Sequence, residues 1–169
     1  MPRVISEALA EPDVLATFVV LVAASSILAV LLSPRLGRPR WLIALALMSV
    51  AAIVAATVVP QGGWSSLSGA YLQSLGDCLG PAGWPRLGRI AADTLLNVVL
   101  YIPAGFLWVV LTRKPIPVII ALALLCIAIE SWQAASGGRS CTVNDVGANT
   151  LGAVIGASLG VIGVRVLKR

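Results

Sequence analysis

The stretch ANTLGAVIGASLGVIGVRV, residues 148–166, places glycine at every fourth position from Gly152 through Gly156 to Gly160 and carries no charge before Arg165. An apolar run of that length crosses a hydrocarbon core of about 30 Å. A small-residue stripe at helical spacing lets two membrane helices approach closely, and packing within the chain is its simplest use. The residues just before it, GGRSCTVNDVG (137–147), are polar and include Arg139, Cys141 and Asp145. The reading is therefore a lipid-spanning helix with a polar mouth at one end.

Four further segments read the same way. VLATFVVLVAASSILAVLL (14–32) and WLIALALMSVAAIVAATVV (41–59) are free of charge. TLLNVVLYIPAGFLWVVL (94–111) contains Asn97 and Pro103, and VIIALALLCIAIESW (118–132) contains Glu130. Composition agrees: 59% of residues are hydrophobic and 11% charged, with a mean hydropathy of +0.98, whereas soluble domains are about 45–50% apolar. The sequence predicts an all-α, polytopic integral membrane bundle of about five transmembrane helices. Two amino-terminal helices (1–60), an extracytoplasmic loop (61–93) and a three-helix core (94–166) are its expected parts. The first span is expected to stay as an anchor, because Arg3 is outweighed by Glu7, Glu11 and Asp13 where a cleaved signal peptide would be basic.

Basic residues in short loops set orientation. Arg35, Arg38, Arg40, Arg113, Lys114, Arg165, Lys168 and Arg169 fall on one side of a five-span chain, eight of its twelve basic residues. That side is expected to be cytoplasmic, with the amino terminus outside and the carboxyl terminus inside. The net charge of +5 is thus a topology signal and not a footprint for nucleic acid. Cys78 and Cys141 would then share the compartment where disulfides persist. A Cys78–Cys141 disulfide is expected; two unpaired thiols are the alternative. In the outer loop, Trp64 and Trp84 suit the headgroup region.

Polar residues inside spans are costly and so are candidates for function. Asp93, Asn97, Tyr101 and Gly105 recur every four residues along one face of the third span, and Pro103 between them is expected to kink it. At 1.5 Å per residue, Glu130 lies roughly 18 Å above Val118, in the outer part of the core, with Gln133 one turn further on the same face. Asp145 and Asn149, again four apart, stand at the outer mouth of the fifth span. Asp145 is also placed to cap that helix. Arg139, in the preceding loop, can sit over the cluster and keep Glu130 and Asp145 ionised. A purely structural ion pair is the competing account of Arg139 with Asp145.

These residues carry a resemblance. The series NVVLYIPAGF (97–106), AIESWQ (128–133) and GRSCTVNDVGANTLGAVIG (138–156) resembles the VanZ-like family over roughly residues 94–160. Its pattern runs Asn, then Phe/Tyr-x-Pro-x-Gly-Phe, then Glu-x-x-Gln, then Arg, Asp and Asn-Thr-Leu-Gly-x-x-x-Gly. The matching positions are Asn97, Pro103, Gly105, Glu130, Gln133, Arg139, Asp145, Asn149, Gly152 and Gly156. The cysteine after Arg139 is similar to a version found in high-GC Gram-positive bacteria, in which a partner in the preceding outer loop is implied. The resemblance also implies an association with low-level resistance to teicoplanin, a lipid-tailed glycopeptide, without supplying a mechanism.

Three classes of function stay open at this point. The favoured one is binding or modification at the outer leaflet, with Asn97, Tyr101, Glu130, Gln133, Arg139, Asp145 and Asn149 engaging a lipoglycopeptide or a lipid-linked wall precursor. The second is an enzyme acting on an envelope lipid through Glu130 or Asp145 as general acid or base. The sequence has no histidine and no convincing metal-ligand cluster, so no cofactor or metal is expected, although carboxylates with asparagine could hold Mg²⁺ or Ca²⁺. The third is a structural or accessory subunit. Membrane lipids are the expected surroundings, a homo-oligomer through the glycine stripe stays open although not indicated, and the absence of an inverted repeat weighs against a transporter.

Overall fold

The computed structural model describes residues 12–59, 92–136 and 143–166. They form five helices: α1 (Pro12–Leu36), α2 (Arg40–Val58), α3 (Ala92–Thr112), α4 (Pro115–Ser136) and α5 (Val143–Val166). All five are long and apolar enough to cross a membrane. Large aliphatic side chains such as Val20, Ile27, Leu31, Leu124, Leu151 and Ile162 are exposed on them, a surface that suits acyl chains and not water.

The turns between helices are tight and readable. Between α1 and α2 the chain reverses at Gly37, whose φ of +59° lies in the region that favours glycine. The Gly37 amide closes on the Ser33 carbonyl at 3.0 Å, and Pro39 follows at the position before α2. Between α3 and α4 the reversal falls on Arg113, φ +61°, and Pro115 then opens α4, where its missing N–H is not needed. Both turns lie at the same end of the bundle, together with Arg35, Arg38, Arg40, Arg113, Lys114 and, at the end of α5, Arg165.

The most extensive interface joins α3 to α5, with α4 packed on α5 and α2 on α3; α1 rests chiefly on α2. Two buried clusters result. The larger draws Ile53 from α2, Tyr101, Ala104 and Val109 from α3, Val118, Leu122, Cys126 and Ile129 from α4, and Ala153 and Ala157 from α5. The smaller, toward the basic end, joins Ala29, Leu42, Ile43, Ala46 and Leu111. The Trp108 indole also donates to the Ala46 carbonyl at 2.9 Å, tying α3 to the middle of α2.

The small-residue stripe explains the closeness of α3 and α5. A Cβ on Gly152 would overlap the Val98 carbonyl oxygen, one on Gly156 the Ile102 carbonyl oxygen, and one on Gly160 would come to 2.9 Å from the Phe106 carbonyl oxygen. Gly105 answers from the other side: a Cβ there would lie 2.5 Å from the Ala153 carbonyl oxygen. Four glycines thus let two backbones touch where any side chain would hold them apart. Pro103 is exposed on the outer side of α3, and the helix continues through it from Ala92 to Thr112.

Candidate functional site

Because α3 and α5 run parallel in close register, polar residues near their starts meet. The Asn97 side-chain amide donates to Asp145 Oδ1 at 2.8 Å. Both residues are half-buried, and Asp145 lies in the first turn of α5, where the helix dipole favours a negative charge. One turn deeper on each helix come Tyr101 and Asn149, roughly 6 Å further in at 1.5 Å per residue. Tyr101 is 0% exposed and Asn149 3%.

The third wall is α4, which runs the opposite way and offers Glu130, 6% exposed, and Cys126, 0% exposed, on one face. The Asn149 amide donates to the Cys126 sulfur at 3.1 Å. Tyr101 is within electrostatic reach of Cys126 and Glu130, and Cys126 within reach of Glu130 and Asp145. Five of the residues singled out in the sequence, Asn97, Tyr101, Glu130, Asp145 and Asn149, therefore gather at one end of three helices. The cluster has two layers, Asn97 with Asp145 nearer the helix ends and Tyr101, Asn149 and Cys126 beneath.

Two buried polar atoms stay open. Neither the Tyr101 hydroxyl, although drawn toward the Cys126 sulfur, nor Asn149 Oδ1 completes a hydrogen bond among the described residues. Such atoms are uncommon, since leaving a buried polar atom without a partner is destabilising by about 1–3 kcal/mol.

Gln133 takes a different direction. It is buried, but its amide donates to the Thr57 carbonyl at 2.7 Å, and the neighbouring Trp132 indole donates to the Val58 carbonyl at 2.9 Å. These are carbonyls of the last turn of α2, which have no partner within their own helix and would be costly to leave bare in lipid. Gln133 and Trp132 thus fasten α4 to the end of α2. Gln133→Leu should lower the unfolding free energy by about 1 kcal/mol with ligand interactions at the cluster retained, a change measurable by thermal unfolding in micelles.

Cys126 and Trp132 were not singled out by the sequence reading. Cys126 stands four residues before Glu130 and hence on its face, which is the signal that finds it. Cys126 is a free, buried thiol. Arg139, Cys78 and Cys141 lie outside the described residues, as does the expected Cys78–Cys141 disulfide. Among the described residues no group of three or more cysteine, aspartate or glutamate side chains is placed to hold a metal ion.

Five membrane-length helices with a buried polar cluster toward one end, where three of them meet, define a polytopic helical membrane protein. The particular family follows from a direct match: the VanZ/LLP1 family model covers residues 41–164, and the chain belongs to that family. The match begins at α2, well before residue 94, where the motif resemblance begins, so the second helix is part of the family's unit. No curated protein and no solved structure matches the chain.

Proposed function

We propose that the protein acts at the outer leaflet of the cell membrane, where its polar cluster engages the headgroup end of an amphipathic ligand, a lipoglycopeptide such as teicoplanin or a lipid-linked wall precursor. The observation that carries this reading is the pair of open polar atoms, Tyr101 Oη and Asn149 Oδ1, held buried among carboxylates. A cluster evolved only to fasten helices has no use for orphaned atoms at its centre. Its end of the bundle is the one away from every lysine and arginine among the described residues, so the positive-inside rule favours an outward orientation. Arg139, in the α4–α5 connection, supplies a guanidinium suited to a phosphate or carboxylate, and a Cys78–Cys141 disulfide would brace that connection from the preceding loop.

The enzyme reading has no feature of its own in the cluster. The fastening reading has one, the interhelical Asn97–Asp145 bond, and is tested below. Binding to purified protein in lipid nanodiscs tests the proposal. Teicoplanin should bind and vancomycin, which lacks the lipid tail, should not. Arg139→Lys should weaken teicoplanin binding by roughly tenfold, through loss of bidentate geometry. Equal binding of both antibiotics, or none of either, argues against the proposal.

A further inference from the structure

The basic end of the bundle is built around two turns. Leu111, near the end of α3, packs with Leu42 and Ile43 at the start of α2, so the α1–α2 and α3–α4 turns sit side by side. The first carries Arg38 and Arg40, the second Arg113 and Lys114; Arg38 is half-buried and the other three are exposed. Hydrogen bonds fix both turns. Ser33 Oγ donates to the Arg38 carbonyl at 3.0 Å, the Arg113 amide to the Val109 carbonyl at 2.7 Å, and the Lys114 amide to Thr112 Oγ1 at 3.3 Å. The four cations therefore project from ordered backbone.

Nothing acidic accompanies them. The sequence has no aspartate or glutamate between Asp13 and Asp77, between Asp93 and Glu130, or after Asp145. Among the described residues, Asp13 and Asp145 lie in the first turns of α1 and α5 and Glu130 near the end of α4, all at the other end of the bundle. Orienting the chain needs only the number of basic residues on one side. Two adjacent pairs on fixed turns are more than that role requires.

We propose that this end binds a membrane phospholipid with two phosphates, of the diphosphatidylglycerol (cardiolipin) class, seated across the two turns with one phosphate on each pair. Arginine offers a phosphate two parallel N–H donors and lysine adds a compact charge. The apolar neighbours make the occupant a lipid. Leu36, Trp41 and Ile116 flank the same turns and are 50%, 64% and 69% exposed. An indole suits the headgroup level, and the aliphatic side chains suit the acyl chains below it. A soluble polyanion meets the charges but gains nothing from these three residues. A lipid with a single phosphate fills one pair and leaves the other unmatched. The site lies at the far end from the polar cluster and stands or falls separately from the outer-leaflet reading.

The test is native mass spectrometry with thermal shift on the full chain, delipidated in a non-ionic detergent. The probes are cardiolipin, phosphatidylglycerol, phosphatidylcholine and inorganic pyrophosphate. Cardiolipin should bind at least tenfold more tightly than phosphatidylglycerol, with phosphatidylcholine and pyrophosphate weaker still. Each basic residue beside an anionic headgroup contributes roughly fivefold to binding. Arg38→Gln/Arg40→Gln and Arg113→Gln/Lys114→Gln should thus each weaken cardiolipin binding roughly twentyfold, at wild-type folded yield because the changes stay at the surface. Phosphatidylglycerol binding as tightly as cardiolipin overturns the two-phosphate site. Pyrophosphate binding as tightly as cardiolipin overturns the lipid. A loss confined to one of the two double variants overturns the seating across both turns.

Discussion

Replacing Gly156 with leucine should all but eliminate folded protein. A Cβ at this position would overlap the Ile102 carbonyl oxygen and come to 2.9 Å from the Phe106 amide nitrogen. Both are backbone atoms in the middle of α3, so no rotamer change relieves the collision; α3 and α5 must separate. Overpacking in an ordinary core is destabilising by about 1–3 kcal/mol, and this site should exceed that range because nothing flexible can yield. Separation would also pull Asn97 from Asp145 and open the layer beneath. Even Gly156→Ala should lower the unfolding temperature clearly. Gly147→Ala, where nothing lies within 4 Å of an added Cβ, is the matched control and should behave as wild type. Size-exclusion profiles and membrane yields of the three variants test this directly, and a monodisperse, thermally normal Gly156→Leu protein would contradict the α3–α5 packing.

Asn149→Leu should separate stability from function. Leucine shares the branched outline of asparagine but is bulkier, at a position that is 3% exposed. The substitution removes a buried oxygen without a hydrogen bond and a bond to sulfur, a weak acceptor. The two polar effects oppose each other, the orphaned oxygen being the larger, and the added bulk of leucine works against the gain, so the unfolding free energy should stay within about 1 kcal/mol of wild type. Ligand-dependent activity, by contrast, should be lost. This outcome divides the two readings of the cluster. If the polar residues only fasten helices, deleting the Asn149–Cys126 contact lowers stability and yield together. If they form a site, the protein keeps its stability and becomes inert, as expected where polar groups are retained for function.

The sequence revealed the helices and much of the cluster, because each rests on a signal carried by residue type. Hydropathy alone marks five spans, and four-residue spacing puts Asn97 with Tyr101 and Asp145 with Asn149. Helix ends were less legible. α5 begins at Val143, five residues before its apolar run, because a polar first turn does not register as membrane-spanning. Cys126 was overlooked since a cysteine within an aliphatic run looks like one more apolar residue. The fastening of α2 was not legible for a different reason. Gln133, Trp132 and Trp108 donate to the backbone carbonyls of Thr57, Val58 and Ala46, and every residue has a carbonyl, so the acceptor leaves no trace in the sequence. Gln133 consequently looked like a member of the cluster, whereas its amide faces α2.

The most direct test of the account is teicoplanin susceptibility, with vancomycin as control, in a sensitive Gram-positive host expressing wild type or Glu130→Gln at membrane levels matched by blot. Glutamine keeps the size of Glu130 and removes its charge from a position that is 6% exposed. The account predicts protection by wild type against teicoplanin alone, lost in an equally abundant Glu130→Gln protein. Undiminished protection by that variant, or none from abundant wild type, would contradict it.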